Sequence, residues 1–127
     1  MIVKTPILSQ RVRQVPKSFS WIDHRLVSNC YINKCSHAAA ALYLFLVCVG
    51  DRRGLSYYSD KSIAEKLKMD AGLLEKARSE LIRSDLLAWR RPIYQVLSME
   101  PATVKKLTLQ GVMRLSDIFK QAREGSP

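Results

Sequence analysis

The twelve residues from Ala38 to Val49 are all apolar, and no other feature of this 127-residue chain restricts its fold as strongly. A helix through them has no polar face and must be covered on every side. Ser36 stands where its hydroxyl can accept from the free amides of the first turn, and Gly50 stands where such a helix ends. Twelve residues are too few to cross a bilayer, so the run reads as a buried helix and no membrane is expected as a partner. Within one small domain the helix must lie centrally, with the N-terminal segment or a second subunit on its outer side. The length allows one domain plus tails. Hydrophobic residues make up 47% of the chain and charged residues 25%, a globular rather than a disordered composition.

Downstream, Asp51-Arg52-Arg53-Gly54 is turn chemistry, and Leu55 to Tyr58 reads as a short strand. Ser59 or Asp60 caps a second helix whose apolar stripe is Ile63, Ala64 and Leu67. Lys68-Met69-Asp70 is a tight break. Asp70 then caps a third helix, with Met69 placed to pack on Leu74 as a hydrophobic staple. Leu74, Ala77 and Leu81 follow at spacings of three and four, and Ser84-Asp85 ends the helix. Leu86 to Arg90 and Ile93 to Leu97, separated by Arg91-Pro92, read as a hairpin. The order is helix, strand, helix, turn, helix, strand, strand: a mainly α domain with a small β-hairpin, spanning residues 21–99.

Residues 1–20, with Pro6, Pro16, four basic residues and no clear period, read as a flexible basic arm. Trp21 to Tyr31 reads as a short strand and loop. Beyond the domain, residues 100–127 form a tail in which Leu115, Ile118, Phe119 and Ala122 mark a short amphipathic helix. Two turns of helix are unstable alone in water, so this one is expected to dock, on a second copy or on a protein partner.

The chain carries 21 Lys and Arg against 11 Asp and Glu, a formal charge of +10. An excess of that size points to a polyanionic partner, of which nucleic acid is the commonest. The charge is uneven: residues 1–35 hold six basic groups and one acid, residues 36–99 ten and seven, and residues 100–127 five and three.

The stretch from Ser59 to Met99 carries a family resemblance. Tyr58-Ser59-Asp60-Lys61-Ser62-Ile63-Ala64-Glu65-Lys66-Leu67, continuing to Leu81-Ile82-Arg83-Ser84-Asp85-Leu86-Leu87, resembles the strand, helix, turn, helix and wing layout of the winged helix-turn-helix superfamily over roughly residues 36–99. Ser20 to Leu26, Cys35 to His37 and Leu42 to Leu46 also resemble small bacterial helix-turn-helix proteins, some associated with mobile elements or plasmid replication. The resemblance implies double-stranded DNA as partner and a role as transcriptional regulator or as accessory to replication or transposition. In such units the second helix crosses the DNA backbone and the third enters the major groove. Bases would then be met by Gly72, Lys76, Ser79 and Arg83. Phosphates would be met by Lys61, Lys66 and Lys68, by Arg90 and Arg91 at the hairpin tip, by Arg52 and Arg53, and by Arg11 and Arg13 of the arm. The first turn of the third helix has no long donor, and Glu75 and Glu80 oppose phosphate, so backbone-led binding is favoured over base reading. The alternative is a protein-interaction or dimerisation module of the same fold. A homodimer is expected through the apolar first helix and the C-terminal helix.

No chemistry is expected. Cys30, Cys35 and His37 have a Cys-x4-Cys-x-His spacing that fits no common closed zinc site, and Cys48 lies inside the apolar helix. Five scattered glycines make no phosphate loop, and no nucleophile has a marked base, so neither cofactor nor enzymatic activity is anticipated. Asp51, Asp60, Asp70 and Asp85 fall at turns and caps. Trp21, Tyr57, Tyr58 and Trp89 are read as packing groups, with stacking on single strands the competing role. Met1 to Gln10 has no export pattern, so the three cysteines are expected as free thiols in a cytoplasm.

Overall fold

The computed structural model describes residues 2–99; the tail and the amphipathic helix expected in it lie outside them. The regular elements are α1 (Arg25–Ser28), α2 (His37–Val49), β1 (Leu55–Tyr57), α3 (Asp60–Leu67), α4 (Ala71–Arg83), β2 (Leu87–Arg90) and β3 (Ile93–Val96), with 3-10 turns at Ser9–Arg11 and Ile32–Lys34. All lie in one compact unit ending at Val96. The fold is mainly helical with a small antiparallel sheet, in the element order read from the sequence.

Each of the three long helices starts on the residue its sequence marks. Ser36 Oγ accepts from the Ala39 amide at 3.1 Å, Ser59 Oγ from Ser62 at 3.1 Å, and Asp70 Oδ1 from Leu73 at 2.7 Å. Each cap satisfies an amide that has no partner within its helix. The break between α3 and α4 is made by Lys68, which adopts the left-handed conformation (φ 56°, ψ 50°) while the Met69 amide donates back to Ala64 O. Asp85, at φ 63°, turns the chain out of α4 in the same way.

The sheet has the order β1-β3-β2. Leu55 pairs with Gln95 and Tyr57 with Ile93 on one side of β3, and Leu87 pairs with Val96 and Arg90 with Ile93 on the other. The 51–54 turn is therefore at one end of the sheet and the Arg91-Pro92 hairpin tip at the other. Gly54 cannot be replaced freely: its φ is +82°, and a Cβ there would stand 2.6 Å from Val96 O. Tyr94 on the central strand is fully buried, with Leu42 and Leu46 of α2, Ile63 of α3, and Leu74 and Leu81 of α4. Helix α4 is the hub, touching α2, α3 and β2.

Two expectations change. The segment from Trp21 to Tyr31 holds a short helix, not a strand, because Asp23 Oδ1 accepts from the Arg25 amide at 2.9 Å and its carboxylate also holds the Arg25 guanidinium. A side chain folded onto the following amides starts a helical turn instead of an extended run. That pairing lowers the Asp23 carboxyl to about 2, through the Arg25 side chain first and its backbone amide second. The second change concerns α2, which is not covered on every side. Leu42 and Leu46 are buried, but Leu44 is 53% exposed and Cys48 is exposed one turn further on.

Candidate nucleic-acid interface

The caps and stripes that set α4 against the core also decide which side chains it offers to solvent. Leu74, Ala77, Arg78 and Leu81 face inward. Gly72, Glu75, Lys76, Ser79, Glu80 and Arg83 then fall along the opposite side, where they line an open depression of about 350 Å3. The four residues expected to meet bases are thus brought together on one helix face.

Glu80 has a structural partner. The Ser36 amide donates to its Oε1 at 2.9 Å, so the acid of α4 completes the N-terminal cap of α2. In a local capping box this acid sits three residues after the cap, but that position is Ala39 and cannot perform the role. The Ser36 amide, ahead of the Ser36 hydroxyl, holds the Glu80 carboxyl below its ordinary range, and the nearby Arg83 and Lys76 charges act in the same direction. One of the two acids expected to oppose phosphate is therefore tied to the scaffold. Glu75 remains exposed.

Sequence reasoning did not single out Arg78. It is 5% exposed. Its Nη1 donates to Asp60 Oδ1 at 2.9 Å and to Tyr94 Oη at 2.8 Å, and Nη2 donates to Asp60 Oδ2 at 3.4 Å. The guanidinium carbon lies 3.8 Å from the centre of the Trp89 ring. One side chain thereby joins the start of α3, the middle of α4 and both hairpin strands. The signal was present in the spacing: Arg78 stands four after Leu74 and three before Leu81, on the inner face.

The phosphate candidates fall into separate groups. Arg90 and Arg91 form the hairpin tip, and Arg91 lies 5.3 Å from the Trp89 ring that Arg78 covers. Lys61 follows Asp60, the residue that Arg78 holds, so the start of α3 and the hairpin tip belong to one side of the molecule. Lys66 and Lys68 occupy the end of α3 and the turn into α4. Arg52 and Arg53 leave the opposite end of the sheet from the hairpin tip, roughly 10 Å away at ~3.3 Å per strand residue. They are not brought to the α4 face by this register. Arg11 closes the 3-10 turn of the arm and Arg13 follows it, both exposed. Among the described residues, none of Lys61, Lys66, Lys68, Lys76, Arg83, Arg90 or Arg91 is held in an ion pair.

Two of the aromatic candidates are packing groups: Tyr58 meets Phe45 edge-on at 5.1 Å, and Trp89 stacks on Tyr94 at 6.0 Å. Tyr57 and Trp21 are exposed. Among the described residues, no three His, Cys, Asp or Glu side chains are grouped to hold a metal ion. Cys35 donates weakly to Tyr31 O at 3.6 Å, and burial pushes its thiol up. No described helix is long and apolar enough to cross a membrane.

The chain matches no protein family, no curated protein and no solved structure.

Proposed function

We propose that this chain is a DNA-binding protein of the winged helix-turn-helix type, with α3 and α4 as the helix-turn-helix and β2–β3 as the wing. One observation carries the reading. Gly72, Lys76, Ser79 and Arg83 share the exposed face of the helix that follows a tight turn, while the opposite face of that helix is fixed in the core. The sheet order and the unpaired cations of α3 and the hairpin tip support it. Binding is backbone-led: Lys61, Lys66, Lys68, Arg90 and Arg91 meet phosphate, and Lys76, Ser79 and Arg83 add a modest preference among sequences. The working unit is a homodimer, acting in the cytoplasm as a regulator or as an accessory to replication or transposition.

A second reading, a protein-interaction module, is favoured by one observation: Glu75 and Glu80 share the α4 face with Lys76 and Arg83 and cancel their charge. Anisotropy titration of a labelled duplex at two salt concentrations separates the two. Five phosphate contacts give a log–log slope of about −4.5, a loss of some hundreds-fold between roughly 50 and 200 mM salt. No binding at the lower salt concentration removes the DNA reading and leaves the protein module.

A further inference from the structure

We propose that the N-terminal arm of one copy lays its apolar residues along the outer stripe of α2 in a second copy, so that two chains exchange arms in a symmetric dimer. The inference rests on the dimeric reading above and is independent of DNA binding.

The arm does not have the content of a solvated tail. Residues 2–22 are all exposed, yet they include Ile2, Val3, Ile7, Leu8, Val12, Val15, Phe19 and Trp21, each more than half exposed. Segments that remain in water are poor in such side chains. At ~150 Å2 apiece they present on the order of 1,000 Å2 of apolar surface. A soluble monomer rarely exposes more than a few hundred Å2 in one patch, and each partner in a stable complex contributes about 800 Å2. The arm therefore carries more apolar surface than its own domain covers.

The seat is the open side of α2. Leu44 and Cys48 are exposed one turn apart, beside the half-buried Ala40 and Ala41. No Lys, Arg, Asp or Glu lies between His37 and Val49, so this stripe offers nothing to a charged ligand and suits an apolar strand. At ~1.5 Å per residue α2 is about 20 Å long, a length that six or seven extended residues cover. The arm finds no seat on its own domain. A two-fold exchange covers six or seven residues of the arm, those around Val15 and Phe19, and the stripe of both chains in one closed arrangement. Arg11, Arg13 and Lys17 would stay at the rim, where they remain available to DNA.

The test uses the full chain without DNA. Sedimentation at tens of micromolar is expected to show a dimer. The arm variant Val15→Ser/Phe19→Ser and the helix variant Leu44→Lys are each expected to give monomers with unchanged helical circular dichroism; these positions are exposed, so folding does not depend on them. In a Cys30→Ser/Cys35→Ser background, Phe19→Cys is expected to yield a disulfide-linked dimer on oxidation that is lost when Cys48→Ser is added. A dimer that survives the arm substitutions overturns the exchange and leaves the dimeric reading standing. A disulfide formed within one chain also overturns it, because the arm then folds onto its own helix. A monomeric wild-type chain removes both.

Discussion

Arg78 is buried because Asp60, Tyr94 and Trp89 together replace the water its charge gives up. Asp60 keeps 52% of its side chain exposed, so the pair is half-solvated. Tyr94 has no such outlet. It is fully buried, and its hydroxyl accepts from Nη1. Arg78→Met retains most of the volume but leaves that hydroxyl without its donor, and is expected to lose about 2–3 kcal/mol in urea unfolding. Tyr94→Phe removes one hydrogen bond and should lose about 1 kcal/mol. Because both substitutions break the same bond, their combination should cost less than the two losses added together. An Arg78→Met chain as stable as the wild type would mean that the network contributes nothing. Arg78 stands at the spacing of the inner face of α4, but a charged side chain is ordinarily solvated. Its partners lie 18 and 16 residues away, and a helical period does not reveal contacts at that separation.

Between elements, the bond from the Ser36 amide to Glu80 joins the start of α2 to the last turn but one of α4. Glu80 is ionised more readily in the folded chain than in the unfolded one. The sign of the linkage follows: a carboxyl with a depressed folded pKa stabilises above its unfolded value of 4.5, and that contribution is lost as the pH falls below it. Glu80→Gln should therefore flatten the acid limb of the stability profile below about pH 5 while leaving the limb near neutrality parallel to the wild type. Urea midpoints measured from pH 3 to pH 7 check this, and an unchanged acid limb would show that the bond is not formed in solution. Caps such as Ser36, Ser59 and Asp70 were legible in the sequence because each acts on an amide three residues ahead. The short helix α1 was not, since the Asp23 contacts that start it leave no apolar period. Nor was the order β1-β3-β2, because β1 reaches β3 across α3 and α4, and no local rule fixes that pairing.

At the scale of the whole molecule, the net charge of +10 draws polyanions from a distance, but it does not say which surface they meet. The sheet register supplies that distinction. Arg90 and Arg91 stand at the end that adjoins the start of α3, and Arg52 and Arg53 stand at the other. Reversing either pair to Glu lowers the net charge of +10 by the same four units, so the long-range field falls equally in both variants. Any difference between them reports contact. Arg90→Glu/Arg91→Glu is expected to weaken duplex binding tenfold or more, evenly across sequences, and to reduce the salt slope by about 2, since each lost phosphate contact removes ~0.9. Arg52→Glu/Arg53→Glu should lower affinity less and leave the slope unchanged. Equal losses with equal slopes would make the attraction a property of the whole charge, with no defined interface. A larger loss for the Arg52 and Arg53 pair would move the interface to the far end of the sheet, away from α4. If α4 then contributed nothing, the face that gathers Gly72, Lys76, Ser79 and Arg83 would be left for a protein partner.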